Sequence, residues 1–294
     1  MAAEAVLAVG ALPPARRFAL TRRLFRHRLF VTGLVLFGAM LFLALAADWI
    51  APYSPMRMQF RARFRPPGGA FLFGTDNFGR DIFSRLCFGA RLSLGIGFAV
   101  VVATGIIGTA TGLLAGYFRR LDEWLMRVMD ALMAFPAVML ALAIAAALGP
   151  SAANAVIALS VVYIPRTARI VRATVLVVRE MDYVQAARAF GGRDLWIIWR
   201  HILPNSLAPL IVQLTFIFAY AVLAESILSF LGVGPPPPTP TWGNMIAEGK
   251  DYIREAWWIA MFPGLAIAIT VLGLNMLGDG LRDVLDPRLK VQQG

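Results

Sequence analysis

Uninterrupted stretches without a charged residue restrict the fold of this chain more than any other feature. They run from Leu29 to Ala47, from Leu92 to Phe118 and from Ala131 to Pro165. An α-helix of about 20 apolar residues is long enough to cross the ~30 Å hydrocarbon layer of a bilayer. The chain is also poor in charge, with 15% charged residues against about 25% in a soluble domain. We therefore expect an all-α polytopic membrane protein.

The third stretch is too long for one span, and Gly149-Pro150 divides it near its middle. Because glycine and proline both interrupt helices, two spans are predicted there, near 131–148 and 152–169. Further apolar stretches predict spans at about 208–231 and 256–278. Together with the first two stretches, these give six transmembrane helices and place both termini on one side of the membrane.

Arginines cluster ahead of the first span, and the net charge of the chain is +11. The cluster comprises Arg16, Arg17, Arg22, Arg23, Arg26 and Arg28. Basic residues that flank a span stay preferentially in the cytoplasm, beside anionic lipid. The basic balance therefore predicts cytoplasmic termini and membrane lipid as a partner, and no nucleic acid is expected.

Three glycines recur at every fourth residue of the second span: Gly108, Gly112 and Gly116. Small residues at this spacing lie on one helix face and let a second helix approach closely. The pattern predicts tight helix packing in this part of the bundle.

A polar loop, 48–90, joins the first two spans and carries Asp76, Arg80, Asp81 and Arg85 close together. No nucleophile with a neighbouring base accompanies these charges, so no catalytic residue is assigned. A salt-bridged loop that packs on the outer face of the protein is expected instead.

A short stretch inside the polar loop 170–207 has the pattern of a capped helix. Asp182 is predicted to cap its first turn, with Gln185 completing a capping box, and Gly191 is predicted to end it in a left-handed conformation. The residues on one face of this helix are Tyr183, Ala186, Ala187 and Phe190. So short a helix is marginal alone in water. Its apolar face therefore needs lipid headgroups, the core of the protein itself or a partner protein to pack on.

A second short helix is predicted to begin at Asp194 in the same loop. It would place Leu195, Trp196, Ile197 and Trp199 along the membrane interface. Pro204 is expected to end it, because proline cannot continue the helical hydrogen-bond ladder.

The sequence contains no recognisable site for ATP. Lys250 follows a glycine-containing stretch that begins at Gly243, but the spacing is one residue too long for a phosphate loop. Asp251 also replaces the Ser or Thr that such a loop requires. The chain is therefore not expected to be an enzyme or to bind a nucleotide cofactor.

Metal and disulfide chemistry are not expected either. Cys87 is the single cysteine, and His27 and His201 are the only histidines in the sequence. An intrachain disulfide needs two cysteines, and a transition-metal site needs a cluster of such ligands. No metal site is predicted.

Three polar residues inside predicted spans are candidates for a translocation pathway: Glu225, Gln213 and Asn275. Ionisable groups within a membrane are functional candidates by default. For Glu225, helix packing or headgroup contact is the favoured interpretation, with pathway lining as the alternative. The predicted spans contain no series of Asp, Glu or His that could relay protons across the membrane, which argues against a proton-driven carrier.

The loop 170–207 also resembles a motif of known transporters. Membrane subunits of ATP-binding-cassette importers carry Glu-Ala-Ala, three residues, Gly, nine residues and Ile-x-Leu-Pro. In this chain Gln185-Ala186-Ala187 leads to Gly191, and nine further residues lead to His201-Ile202-Leu203-Pro204. The Glu and the first Ile are replaced by Gln and His, and the His-Ile-Leu-Pro-Asn form is similar to the dipeptide/oligopeptide/nickel branch. The stretch from Phe73 to Arg85 resembles the C-type subunits of peptide importers.

This resemblance implies a type I importer permease fold in the inner membrane of a bacterium. The implied parts are a cytoplasmic basic tail (1–28), a first span with an extracytoplasmic loop (29–90), a permease core (91–280) and a cytoplasmic tail (281–294). The resemblance assigns coupling to an ATPase to Asp182, Tyr183, Gln185, Ala186, Ala187, Phe190, Gly191, Leu203 and Pro204.

The same resemblance implies three kinds of partner protein. A second, homologous permease would pair with this chain, two ATP-binding subunits would hold ATP and Mg, and an extracytoplasmic solute-binding protein would deliver substrate. Short peptides are the expected substrate, with nickel or another small solute, such as a sugar or glutathione, as the alternative. A stand-alone channel or secondary carrier is the alternative from a different class.

Overall fold

A computed structural model describes residues 22–285 of the chain, and within that range it contains helices and no strand. From Arg28 onward, eleven α-helices follow one another in the described part of the chain. They are α1 (Arg28–Leu45), α2 (Ala47–Ile50), α3 (Ile82–Tyr117), α4 (Arg119–Met133), α5 (Ala137–Leu148), α6 (Ala152–Val178), α7 (Asp182–Ala189), α8 (Asp194–Ile197), α9 (Leu203–Phe230), α10 (Trp242–Gly249) and α11 (Trp258–Leu285). The predicted all-α class is confirmed.

Four helical segments are long and apolar enough to cross a membrane: α1, α3, the continuous segment Asp194–Phe230 and α11. A fifth is formed if α4 and α5, which are bent by 90° relative to each other, count as one broken span. The count of six spans and the cytoplasmic side of both termini stay predictions. Most of the two predicted tails (1–28 and 281–294) lies outside the described residues, since 1–21 and 286–294 are not described.

The helix α3 begins at Ile82, so the predicted loop 48–90 ends nine residues too late. Asp81 precedes the helix, and its Oδ2 accepts hydrogen bonds from the backbone N–H of Ser84 at 2.8 Å and from the Ser84 hydroxyl at 2.7 Å. This is a side-chain cap of the first turn. Burial raises the pKa of the Asp81 carboxyl, and the hydrogen bonds from Ser84 counteract part of that rise.

The three regularly spaced glycines of α3 pack directly on α6, as predicted. A Cβ atom at Gly108 would lie 2.7 Å from the Cβ of Thr167, and one at Gly112 would lie 2.6 Å from the carbonyl oxygen of Ala168. A Cβ at Gly116 would lie 2.6 Å from the Cβ of Val175. Because no real Cβ contact is so short, only glycine allows the two helices to lie this close.

The predicted break at Gly149 is confirmed, because this residue has a φ of 90° and separates α5 from α6. The predicted single span near 131–148 is wrong in its first part. The helix stops at Met133, and α5 begins only after Pro136. Proline disfavours a helical conformation of the residue before it, which favours this second break.

Pro204 does not end the second short helix, contrary to prediction. Residues 198–202 form a π-helical turn, and Pro204 lies in the first turn of α9, where its missing N–H is tolerated. The side chains of Asn205 and Ser206 donate hydrogen bonds to the carbonyl oxygens of His201 (2.6 Å) and Ile202 (3.1 Å). The chain is therefore helical without interruption from Asp194 to Phe230, and the predicted start of the fifth span near 208 is too late.

Buried charges join the first loop to α10 at the end of the bundle where α3 begins. Asp76 Oδ2 accepts hydrogen bonds from Arg80 Nε and Arg85 Nη1, both at 2.6 Å. Glu248 Oε2 accepts from Arg80 Nη2 and Arg85 Nη1, also at 2.6 Å. The predicted salt-bridged loop is confirmed for three of its four residues, whereas Asp81 caps α3. The contribution of Glu248 was missed because it lies far away in the sequence.

Candidate functional site

The predicted coupling helix exists as α7, but its first turn differs from the prediction. Asp182 is the first helical residue and does not cap the helix, because Met181 occupies the cap position without a side-chain hydrogen bond. The Gln185 amide donates to the carbonyl oxygen of Arg179 at 3.0 Å. The capping box is therefore wrong. An acidic residue in the first turn still interacts favourably with the helix dipole, and Gln185 ties α7 to the end of α6.

The predicted end of α7 is confirmed. Gly191 has a φ of 81°, the left-handed region that glycine adopts at helix ends. Its N–H donates to the carbonyl oxygen of Arg188, and the N–H of Gly192 donates to that of Ala187, both at 3.0 Å. The chain therefore turns sharply after Phe190 and leads into α8.

The helix packs on its own protein through a different residue from those predicted to share a face. Val184 is fully buried and joins an apolar cluster at the junction of α3, α6, α8 and α9. The other buried members are Tyr117, Val171, Val175, Val178, Ile197, Ile198, Ile202 and Leu210. Tyr183 and Ala186 are exposed and Ala187 is half-buried. The core of the chain itself thus covers only the Ala187 part of the predicted face, and Tyr183, Ala186 and Phe190 stay exposed.

Several large apolar side chains of α7, α8 and the turns that follow them are exposed, and we call this set the coupling surface. Phe190 is 91% exposed, Trp199 69%, Leu195 68% and Trp196 50%. Tyr183 completes this surface on α7. Exposed apolar patches of this kind mark places where a protein or a membrane makes contact.

Polar contacts hold the two short helices that carry the coupling surface against the ends of α3 and α6. Tyr117, at the end of α3, donates its hydroxyl hydrogen to Asp194 Oδ1 at 2.6 Å. Arg179, at the end of α6, donates from Nη1 to the carbonyl oxygen of Gly116 at 2.8 Å. The guanidinium of Arg188 lies 5.5 Å from the centre of the Tyr117 ring, and its hydrogen bond with Tyr117 raises the pKa of Arg188. These contacts hold α7 and α8 against α3 and α6.

The remaining residues assigned to coupling lie at the start of α9. Leu203 is half-buried and Pro204 is exposed. The next residue, Asn205, donates a hydrogen bond from Nδ2 to the hydroxyl oxygen of Tyr183 at 3.2 Å. The structure therefore brings the two halves of the motif together, and Asn205 is the contact between them that sequence reasoning did not single out.

The three candidate pathway residues do not form one site. Glu225 is fully buried near the end of α9, and its Oε1 accepts a hydrogen bond from the Ser229 hydroxyl at 2.6 Å. Gln213 lies on the same helix, at about 18 Å from it along the axis at 1.5 Å per residue, and is half-buried. Asn275 is half-buried on α11. For Glu225, the packing interpretation agrees with its burial.

The chain matches two family models. One, described as a binding-protein-dependent transport system inner membrane component, matches residues 108–291. The other, described as the N-terminal TM domain of oligopeptide transport permease C, matches residues 18–67.

Curated relatives match the chain over most of its length. An inferred peptide transport system permease protein of Brucella abortus is 58% identical over 271 residues, which is 92% of each chain. The dipeptide transport system permease protein of Escherichia coli K12 is 49% identical over 273 residues, covering 90% of this chain and 91% of the relative. The di/tripeptide transport system permease protein of Pseudomonas aeruginosa is 48% identical over 266 residues, 88% of each chain.

A solved structure shares the fold. The crystal structure of an amino acid ABC transporter with histidines superposes with a TM-score of 0.50, covering 64% of this chain and 87% of the other, at 16% sequence identity. The first family model alone spans more than half of the chain, and the resemblance seen in the coupling motif is confirmed. The chain belongs to the family of inner membrane components of binding-protein-dependent transport systems.

Proposed function

We propose that this chain is the permease subunit of an ATP-binding-cassette importer that moves short peptides across the inner membrane. The relatives named as dipeptide, di/tripeptide and peptide permeases support the substrate class. A transport role also agrees with the apolar helices of the chain, and none of its motifs was assigned a catalytic residue. Nickel and other small solutes are the alternative substrates, and uptake measurements distinguish them from peptides.

The observation that carries the proposal is the coupling surface. Phe190, in the turn after α7, has 91% of its surface exposed, and Trp199 and Leu195 of the same loop are exposed as well. Leaving such side chains in water is unfavourable by about 25 cal/mol per Å² of apolar area. An ATPase subunit with a matching cleft would cover them.

The energy for transport comes from partner subunits in this proposal. Two ATP-binding subunits hold ATP and Mg, and one of them docks on α7. A second, homologous permease pairs with this chain, and an extracytoplasmic binding protein delivers the peptide. Closure of the ATPase pair on ATP then shifts the bundle from an inward-open to an outward-open arrangement, as a rigid-body change biased by the nucleotide.

Replacing Phe190 tests the docking step. Phe190→Asp adds a charge to a side chain that packs on nothing in this chain, so the protein should still insert and fold. We expect it to lose most ATP-driven peptide uptake in proteoliposomes and to retain less ATPase subunit on purification. The matched control is Trp49→Asp, an aromatic side chain that is 87% exposed beside the other end of the bundle. Undiminished uptake and ATPase binding in Phe190→Asp would contradict the proposal.

The substrate and the energy source need separate measurements. In cells that lack other peptide importers, labelled di- and tripeptides should enter only when this permease and its ATPases are present. Uptake of nickel or glutathione in place of peptides would move the chain to another substrate class. Uptake that persists without the ATPase subunits would indicate a channel or secondary carrier.

A further inference from the structure

The junction between α8 and α9 has an unusual backbone. Residues Ile198–Ile202 form a π-helical turn, between the α-helical residues of α8 and the start of α9. A π-turn inserts one residue into a helix, so every side chain after it is rotated relative to those before it. Such turns are often associated with function, and this one carries His201.

The His201 ring lies between the two short helices of the loop. Its centre is 4.9 Å from the Trp196 ring of α8 in an edge-on arrangement, and 5.9 Å from the Tyr183 ring of α7. Aromatic pairs at these distances attract each other. The His201 imidazole therefore packs between an aromatic ring of α7 and one of α8.

Asn205 connects the same parts through hydrogen bonds. Its Nδ2 donates to the carbonyl oxygen of His201 at 2.6 Å and to the hydroxyl oxygen of Tyr183 at 3.2 Å. The amide nitrogen has two hydrogens, and these two acceptors use both. Among the hydrogen bonds of the described residues, this is the one that joins a side chain of α7 directly to α9.

We propose that Tyr183, His201 and Asn205 form a bracket that makes α7 and α9 move as one body when the ATPase shifts. The inference rests on the proposed function, since it concerns how that movement is transmitted. The helix α9 continues to Phe230 and carries Glu225 near its far end. A rotation of α7 would therefore reach the opposite end of the bundle through about 40 Å of uninterrupted helix. These three are positioning residues, and none is assigned contact with substrate.

The other polar connections of α7 hold different neighbours. Gln185 bonds to the end of α6, and Arg188 lies against Tyr117 of α3. Val184 packs in the apolar cluster that α9 shares with α3, α6 and α8. Removal of the bracket would therefore leave α7 attached to α3 and α6, while its link to α9 is reduced to this apolar packing and loosens. This separates the bracket from a general requirement for a folded loop.

The test is the variant Asn205→Ala, which removes the hydrogen bond to Tyr183 of α7 together with the one to the His201 carbonyl in its own helical turn. In proteoliposomes containing the complete transporter, we expect the number of peptides transported per ATP hydrolysed to fall about fivefold, the effect of losing the one hydrogen bond that reaches α7. Tyr183→Phe keeps the ring and removes only the hydroxyl. Added to Asn205→Ala, it should cause no further fall, because both act through the same contact.

Asn154→Ala is the matched control. Asn154 also donates twice from Nδ2, to the carbonyl oxygens of Leu148 and Gly149 at 2.9 Å each, but at the turn between α5 and α6. Its ratio of transport to hydrolysis should stay unchanged. An unchanged ratio in Asn205→Ala, or an equal fall in Asn154→Ala, would overturn the bracket.

A distance measurement tests the bracket independently of the substrate. Spin labels on Ala189→Cys and Ile211→Cys, both exposed positions, report the separation of α7 and α9; the single native cysteine, Cys87, is buried. We expect a narrow distance distribution that ATP leaves unchanged, and a broad one in Asn205→Ala. A change of distance on ATP addition in the unmutated loop would refute the bracket. Failure of the proposed function would appear separately, as absent ATP-driven peptide uptake.

Discussion

Arg85 and Glu248 lie 163 residues apart in the sequence and form a paired contact, from Nη1 to Oε2 at 2.6 Å and from Nη2 to Oε1 at 3.2 Å. The arginine is fully buried at the start of α3, and Arg80 reaches the same carboxylate. Two buried cations thus depend on Asp76 and Glu248. Together, the contacts of Arg80 and Arg85 with Glu248 fix α10 against the first loop and the start of α3, at the end of the bundle opposite the coupling surface.

The variant Glu248→Ala should destabilise the protein strongly. It leaves two buried guanidinium groups with Asp76 as their single carboxylate partner, and breaking a buried ion pair in this way costs about 3–5 kcal/mol. Thermal unfolding in detergent should show a clear fall in the midpoint. Glu255→Ala removes an exposed carboxylate from the nearby loop and serves as the control. Equal midpoints for the two variants would show that the cluster contributes little.

The close approach of α3 and α6 predicts an intolerance of even one methyl group. Gly112→Ala would place Cβ 2.6 Å from the Ala168 carbonyl oxygen and 2.7 Å from the Cβ of Val171. Overpacking of this kind costs about 1–3 kcal/mol. Gly95→Ala, in the same helix with nothing within 4 Å of the added Cβ, should be neutral or slightly stabilising. The thermal midpoints of the two variants check this, and a Gly112→Ala midpoint as high as that of Gly95→Ala would contradict it.

The capping carboxyl of Asp81 predicts a pH-dependent difference. Burial raises its pKa in the folded protein, whereas an unfolded Asp has a pKa of about 3.9. The stabilising contribution of this group is therefore fully present below about pH 4 and is lost as the pH rises through the folded pKa. Asp81→Asn still provides a capping oxygen and cannot ionise. As the pH rises from 4 to 7, the unfolding temperature of Asp81→Asn should increase relative to that of the wild type. A difference that stays constant over this range would refute the prediction. The exposed Asp251→Asn controls for the general effect of removing a charge.

The left-handed turn after α7 predicts a change in coupling without a change in insertion. Gly191→Leu has open space around the new Cβ, yet its φ of 81° costs about 1–2 kcal/mol for a residue with a side chain. The end of α7 should fray, and ATP hydrolysis should uncouple from peptide uptake while membrane insertion stays normal. Gly38→Leu, also in open space but inside α1, should keep coupling. Normal coupled transport by Gly191→Leu would count against the role of this turn.

Local rules were sufficient where one residue decides the backbone. The spacing of Gly108, Gly112 and Gly116 predicted a helix contact, Gly149 and Gly191 predicted the ends of helices, and Asp194 predicted the start of α8. Each of these depends on the conformation or the size of one residue and its neighbours. The apolar stretches likewise predicted an all-helical membrane protein, because the requirement for length and hydrophobicity is local.

Features that depend on distant contacts were not predictable. Glu248 meets Arg80 and Arg85 only after the chain has folded. Pro204 was predicted to end a helix, because no sequence pattern predicts the π-turn that precedes it and allows the helix to continue. Val184 was not recognised as the residue that anchors α7, since its burial depends on a cluster contributed by four other helices.

In the proposed transporter, the amide of Gln185 would limit how freely this permease could exchange ATPases with its relatives. Its NH₂ group donates to the Arg179 carbonyl, and an ionised glutamate in the same place has no hydrogen to give. An ATPase that docks on α7 as proposed would meet a neutral group at that point, whereas one fitted to the Glu-Ala-Ala form would meet an anion. Hybrid transporters built from the two kinds of subunit would differ at this one site in charge as well as in shape.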